Sequence, residues 1–368
     1  IELWREFTRY SIDSMQIQLD RLVIKPDLNN WERFYEGLNL PKMENYPDLK
    51  YDMKAIINEL IKSWIATEND DDSVWVVFND ESKMPSCILQ KRDGTHWYLA
   101  SDLASIKYRS ENWNPDKIIY FVDVRQKLHL SQAFYIANKA WWTKRKWLKD
   151  IELIHAYNWF ISLKDWAMST RKWKIIKLDK LLDEAELRAK NIILEKREDI
   201  KWEELQELSK IIWIWAIKYW YLKKSRETDI IFDWDEFMTF DWNSWPYIQY
   251  AYVRWNRILE NIDRNKLIQY ININSKLWFT TNEEKYLLST MLRYKEILNL
   301  TIERNMPHIL CEYSYNLTKS FNSFYNSIHI LSEKDEDIKN IRLYLVLVYV
   351  LLIKDCFLIL WIKMPDKM

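Results

Sequence analysis

The sequence predicts an α/β part followed by an all-α part, on three observations. Short apolar strand-like runs alternate with helical patterns through the first half of the chain, the pattern of strand-helix-strand units around a parallel sheet. From about residue 179 onward the apolar spacing is almost purely helical. Turn residues cluster at Asp241 to Pro246, which places a junction before the last helices.

In chain order, helical spacing covers 1 to 22 and 52 to 64, followed by an acidic turn from Glu68 to Asp72. β-type runs follow at 74 to 78 (VWVVF) and 87 to 91 (CILQK), and Asp93-Gly94-Thr95 is a turn signal. Then come a helix at 102 to 109, an apolar strand at 118 to 122, a helix at 131 to 140 and a strand at 151 to 157. The terminal run 343 to 362 looks membrane-like until Lys354 and Asp355 interrupt it, so a buried helix is predicted.

Composition narrows the classes. The chain has 368 residues, enough for two or three domains with their own cores. With 54 basic and 54 acidic residues the net charge is zero, which neither supports nor excludes a nucleic-acid partner. Cys87, Cys311 and Cys356 lack metal-ligand or paired spacing, and the five histidines are dispersed. No zinc site is predicted, and a reducing, cytoplasmic setting is expected. The first residues form an amphipathic helical pattern without an initiating Met, so the chain is expected to begin within a longer protein.

Tryptophan is the anomaly: 22 Trp stand against 2 Gly, where an ordinary chain holds roughly 7% Gly. Trp166, Trp242 and Trp245 sit in strings that read as turns once Trp is replaced by a residue without Cβ. Trp173 follows Arg171-Lys172 in a basic loop, and the helix 211 to 222 gains a small-residue packing face by the same replacement. Most Trp are therefore expected to be glycine positions, written as Trp because the source reads a codon such as UGA as glycine. Trp4 and Trp234 are expected to be genuine. A surface rich in Trp for sugars, membranes or bases is the alternative; it accounts for the Trp but not for the missing Gly.

The most specific string is Ala167-Met168-Ser169-Thr170-Arg171-Lys172-Trp173-Lys174. Charge alone reads it as a solvated loop. It resembles the signature loop of class I aminoacyl-tRNA synthetases, in the form used by arginyl-tRNA synthetases, departing at Ala167, where the family often has lysine, and at Trp173, where it has glycine. Strings at 93 to 109, 118 to 134, 232 to 254, 320 to 326 and 360 to 368 resemble the same family in the same order, so the resemblance spans essentially the whole chain.

The resemblance implies a partial Rossmann-type catalytic domain over 1–163, a signature-loop and connecting helical region over 164–245, and an all-α anticodon-binding domain over 246–368. It implies ATP-dependent activation of arginine and transfer to the 3′ end of its tRNA, with ATP and Mg2+ as substrate complex, no resident metal, no membrane and a monomeric state. Met168, Ser169, Thr170, Arg171 and Lys172 would act on the polyphosphate side. Tyr98 and Asp102 would contact arginine: four apart on a helix they share a face, and a carboxylate pairs well with a planar guanidinium. Taken alone, Asp102 reads as the N-cap of the helix from 102, and the two roles are compatible. Gln126, by itself an ordinary surface residue, would hold the arginine.

His129 and Gln132 are expected to line the nucleotide pocket, though His129 also fits a satisfied core position. Lys174 and Tyr250 are expected to meet tRNA; the basic stretches are also ordinary solvated faces, and the aromatics also fit a core. The family's histidine-isoleucine-glycine-histidine signature is absent from these residues, so the chain as given is expected not to form the adenylate. Another class I synthetase or a non-catalytic tRNA-binding paralogue remain the alternatives. The paralogue is disfavoured by the substrate-side residues being present.

Overall fold

The structure, a computed structural model, describes residues 2–28, 35, 51–79, 81, 83–159, 161–163, 177–197, 199–233, 245–260, 262–273 and 279–364. It divides into two compact units, 25–160 and a second made of 1–24 with 161–368.

In the unit 25–160, helix α2 (Met53–Lys62) opens on Asp52, whose carboxylate accepts from the Ala55 amide. It buries Ile56, Ile57 and Leu60 at helical spacing. Strands β1 (Thr67–Glu68), β2 (Val74–Val76) and β3 (Cys87–Gln90) form an antiparallel sheet. The strand runs at 74 to 78 and 87 to 91 were thus placed correctly, but the parallel pairing implied by alternation does not extend to them. They are joined without a helix, and a parallel pair needs a crossover of a dozen or more residues.

The parallel arrangement occurs further along. Strand β4 (Lys117–Tyr120) pairs in parallel with β5 (Glu152–His155), with Ile118 opposite Leu153. The connection between them runs through a short 3-10 turn (Val124–Gln126) and helix α4 (Lys127–Lys139). Helix α3 (Tyr98–Trp113) precedes β4 and buries Leu99, Ala100, Leu103, Ala104 and Ile106 against Ala133, Ile136 and Ala137 of α4. Alanines on both helices let their backbones come close. Asp102 is therefore not an N-cap. The helix starts four residues earlier, after extended Trp97, because the apolar spacing begins at Leu99.

In the other unit, helix α1 (Glu2–Arg21) ion-pairs through Arg21 with Asp183, at 2.9 Å. Parallel strands β6 (Ile161–Leu163) and β7 (Ile230–Phe232) flank helices α5 (Leu178–Lys196) and α6 (Trp202–Leu222) in sequence. The rest is helical: α7 (Trp245–Glu260), α8 (Arg264–Ile273), α9 (Asn282–Leu292), α10 (Tyr294–Arg304), α11 (Pro307–Ser327) and α12 (Glu336–Ile359). Their shared core includes Ile248, Leu287, Leu310, Phe321, Val346, Tyr349 and Phe357. Helix α12 is thus a buried terminal helix, and among the described residues no helix is long and apolar enough to cross a membrane.

In the helix 211 to 222, Trp213, Trp215 and Trp220 are buried in the common core rather than held away from it. Large side chains are accepted where the facing residues leave room, as where Trp215 stacks on Phe357 with ring centroids 4.2 Å apart. Trp166, Trp173, Trp234 and Trp242 lie outside the described residues.

Candidate functional site

The carboxyl end of β4, the 3-10 turn after it and the first turn of α4 face the first turns of α3 across a cleft. The cleft has a volume of about 610 Å³ and is lined by Tyr98, Ser101, Asp102, Ser105, Arg109, Arg125, Gln126, His129 and Tyr35. A crevice beyond the carboxyl ends of parallel strands is where open α/β sheets bind ligands, and the volume suits a small molecule.

Two of the three expected arginine contacts are set by helix periodicity. Tyr98 and Asp102 are one turn apart on α3 and both line the cleft. Gln126 reaches it from the other wall, as the residue immediately before α4. All three predicted residues are thus brought together.

The charges are arranged unevenly. Among the described lining residues Asp102 is the one carboxylate. Arg125 donates from Nε and Nη2 to the two oxygens of Asp123, at 2.9 and 3.0 Å, and this hydrogen bonding holds the Asp123 carboxyl below its ordinary value. Arg109 donates to the Tyr120 hydroxyl at 3.0 Å, and Ser105 lies 3.2 Å from the same hydroxyl while donating to the Asp102 carbonyl at 2.8 Å. Burial, the larger effect, pushes the Tyr120 phenol up, so it stays a neutral partner for Arg109. Both cations are therefore engaged along the walls.

His129 Nε2 donates to Asp102 Oδ2 at 2.6 Å. Sequence reasoning placed His129 beside the nucleotide; the structure places it against the carboxylate. The signal was present in the sequence, since His129 falls three residues after Gln126 and so on the cleft side of α4. Gln132 does not line the cleft: it is buried and donates to the Pro85 carbonyl at 2.8 Å, tying α4 to the loop before β3. Arg109 and Ser105 were not singled out from sequence, because their role depends on Tyr120, which only the fold brings near. Tyr250 is exposed on α7. Met168, Ser169, Thr170, Arg171, Lys172 and Lys174 lie outside the described residues.

A parallel strand pair with a small-molecule cleft beside it, followed in sequence by a helical bundle, is the arrangement of the class I synthetase type of protein. The family described as tRNA synthetases class I (R), catalytic domain, matches residues 11–234, and the DALR anticodon binding domain matches 248–368. The chain belongs to this family of class I tRNA synthetases of the arginine type.

Among similar proteins, the arginine–tRNA ligase of Wigglesworthia glossinidia brevipalpis is 35% identical over 374 aligned positions, covering 100% of this chain and 61% of that protein. That of Fusobacterium nucleatum is 33% identical over 341, covering 92% and 55%. This chain thus spans about three-fifths of the length of the curated relatives it matches. In fold it is similar to the arginyl-tRNA synthetase of Plasmodium falciparum, with a TM-score of 0.79 at 24% identity, covering 100% of this chain and 58% of that one. The Thermus thermophilus arginyl-tRNA synthetase gives a TM-score of 0.75 at 19% identity, covering 99% and 64%.

Proposed function

We propose that the chain supplies the arginine-reading wall, the signature loop and the anticodon-binding bundle of an arginine–tRNA ligase. The observation that carries this reading is the pairing of Tyr98 and Asp102 on one face of α3 opposite Gln126, with Asp102 the one acid among the described residues lining the cleft. A planar cation entering there meets a carboxylate able to accept two N–H bonds, the strongest arrangement for a guanidinium. Tyr98 offers a hydroxyl beside it, and the Gln126 amide can receive or donate at the amino-acid end.

The reaction proposed for the whole protein has two steps. The arginine carboxylate attacks the α-phosphorus of ATP, supplied as its Mg2+ complex, and pyrophosphate leaves; the arginyl group then passes to the terminal adenosine of tRNA. In the first step negative charge grows on the departing pyrophosphate, and Arg171 and Lys172 of the 168–172 string are the cations for it. Lys174 and Tyr250 are proposed tRNA contacts, the first to phosphate and the second by stacking on a base. We place the working protein in the cytoplasm as a monomer.

Calorimetric titration of the chain with L-arginine, L-citrulline and L-lysine tests the arginine reading. Arginine is expected to bind at least tenfold tighter than citrulline, which keeps the shape and loses the charge, and tighter than lysine, which cannot present a planar fork. Equal binding of arginine and citrulline would count against it.

A further inference from the structure

We propose that His129 is a positioning residue for the carboxylate that reads the substrate. The inference rests on the arginine reading above. The Nε2–Oδ2 separation of 2.6 Å is that of a short, charge-assisted bond. The two partners come from different elements, α3 and α4, and both side chains are partly shielded, at 32% exposure for Asp102 and 25% for His129. An aspartate on a helix surface otherwise rotates about its terminal torsion, which is broad and nearly two-fold. With Oδ2 held by His129 the plane of the carboxylate is fixed. Oδ1 and the second lone pair of Oδ2 then face the incoming N–H groups. The two described cations lining the cleft, Arg109 and Arg125, bond to Tyr120 and Asp123, and the imidazole is the group bonded to the carboxylate.

The test compares His129→Ala and His129→Gln in the same arginine titration. Alanine is expected to raise the arginine dissociation constant about tenfold, the scale of one lost hydrogen bond to a charged group. Glutamine, whose amide nitrogen can occupy the Nε2 position, is expected to recover most of the loss, with unfolding midpoints unchanged in both. Proton–nitrogen NMR of the imidazole gives an independent readout: a downfield Nε2–H resonance that Asp102→Asn abolishes. Arginine affinity unchanged in His129→Ala would overturn the proposal and leave the arginine reading standing. No arginine binding by the unaltered chain would sink both.

A second inference stands on the backbone alone. Among the described residues, nine other than glycine have positive φ, and four of them are tryptophan: Trp64 (59°), Trp141 (65°), Trp147 (65°) and Trp361 (56°). Three of these four occupy the same place. Trp64, Trp141 and Trp361 each directly follow a helix C-cap, and in each case two hydrogen bonds close the end. At α2 these are Trp64 N–H to the Ile61 carbonyl and Ile65 N–H to the Leu60 carbonyl, both 3.0 Å. The equivalents after α4 are Trp141 to Asn138 and Trp142 to Ala137, and after α12 Trp361 to Leu358 and Ile362 to Phe357. This is the Schellman closure, whose left-handed residue is usually glycine.

The left-handed conformation costs a residue with Cβ roughly 1–2 kcal/mol, and these four side chains bury little surface in return. The indoles are 94%, 72%, 99% and 65% exposed at Trp64, Trp141, Trp147 and Trp361. The neighbour Trp142 shows what a tryptophan with a structural role looks like: it is buried and donates from Nε1 to Glu59 at 2.8 Å. The one described glycine, Gly94, has φ +77°, the same region of backbone space. We infer that Trp64, Trp141, Trp147 and Trp361 are glycine in the protein as its own cell makes it, and that Trp142 is tryptophan.

Peptide mass spectrometry on protein from the native source is expected to find glycine at the four positions and tryptophan at 142. Tryptophan at the four would overturn the inference. On recombinant protein, Trp-to-Gly replacement at each of the four is expected to raise the unfolding midpoint by roughly 3 °C, whereas Trp142→Gly lowers it. Midpoints unchanged or lowered at the four sites would be the contrary result.

Discussion

Replacing Asp102 by asparagine is expected to weaken arginine binding about a hundredfold. The substitution keeps the side-chain volume and one carbonyl oxygen, so the walls of the cleft stay as they are. It removes the only carboxylate among the described lining residues and sets an NH2 group where the substrate brings N–H donors of its own. Losing one side of a shielded, hydrogen-bonded charge pair costs on the order of 3 kcal/mol, and each 1.4 kcal/mol is about tenfold. Citrulline provides the control: being uncharged, it is expected to bind the variant within about threefold of its affinity for the unaltered chain. A variant that still prefers arginine to citrulline as strongly as before would show that another group reads the guanidinium.

The parts legible in the sequence are those fixed by short-range chemistry. The resemblance named Tyr98 and Asp102, whose four-residue spacing suits one helix face, and the parallel pair of β4 and β5 followed from a strand-helix-strand alternation. What escaped depends on contacts between distant residues. The start of α3 was set four residues late because Asp102 is a good N-cap residue, while tertiary burial of Leu99 and Ala100 extends the helix back to Tyr98. The spacing of His129 from Gln126 is local, but that α3 and α4 bring its imidazole to Asp102 is not. The antiparallel pairing of β2 with β3 was not read, because a run of strand-like residues does not by itself name its partner. The Trp positions were legible as an anomaly of composition, but the helix ends at Trp64, Trp141 and Trp361 became visible only through their backbone angles.

Removing the Arg342 guanidinium, as in Arg342→Met, is expected to be among the most damaging single changes to the helical unit. Arg342 on α12 is 7% exposed; its Nε donates to Glu284 Oε1 at 2.8 Å and its Nη1 to Glu333 Oε2 at 2.6 Å. Glu284, 1% exposed, is also the third residue of α9 and closes a capping box with Thr281, accepting the Thr280 and Thr281 amides at 2.7 and 3.1 Å. One carboxylate thus ends α9 and ties it to α12. Methionine replaces the length of the side chain but leaves a buried, uncompensated anion, a loss of about 3–5 kcal/mol, read as a lower midpoint in urea.

The same carboxylate predicts how acid acts on this unit. Burial pushes the Glu284 carboxyl up, but the Arg342 hydrogen bond and the two threonine amides together outweigh it and hold the group below its ordinary 4.5. A carboxyl depressed in the folded state contributes its full stability above the unfolded value and loses it as pH falls through the folded one. Stability of the unaltered helical unit is therefore expected to hold down to about pH 5 and to fall below pH 4.5, whereas Glu284→Gln is expected to start lower and to lose less between pH 5 and pH 3. Parallel acid titrations of the two proteins, followed by urea midpoint at each pH, read the difference; equal slopes would mean that Glu284 does not carry the acid response.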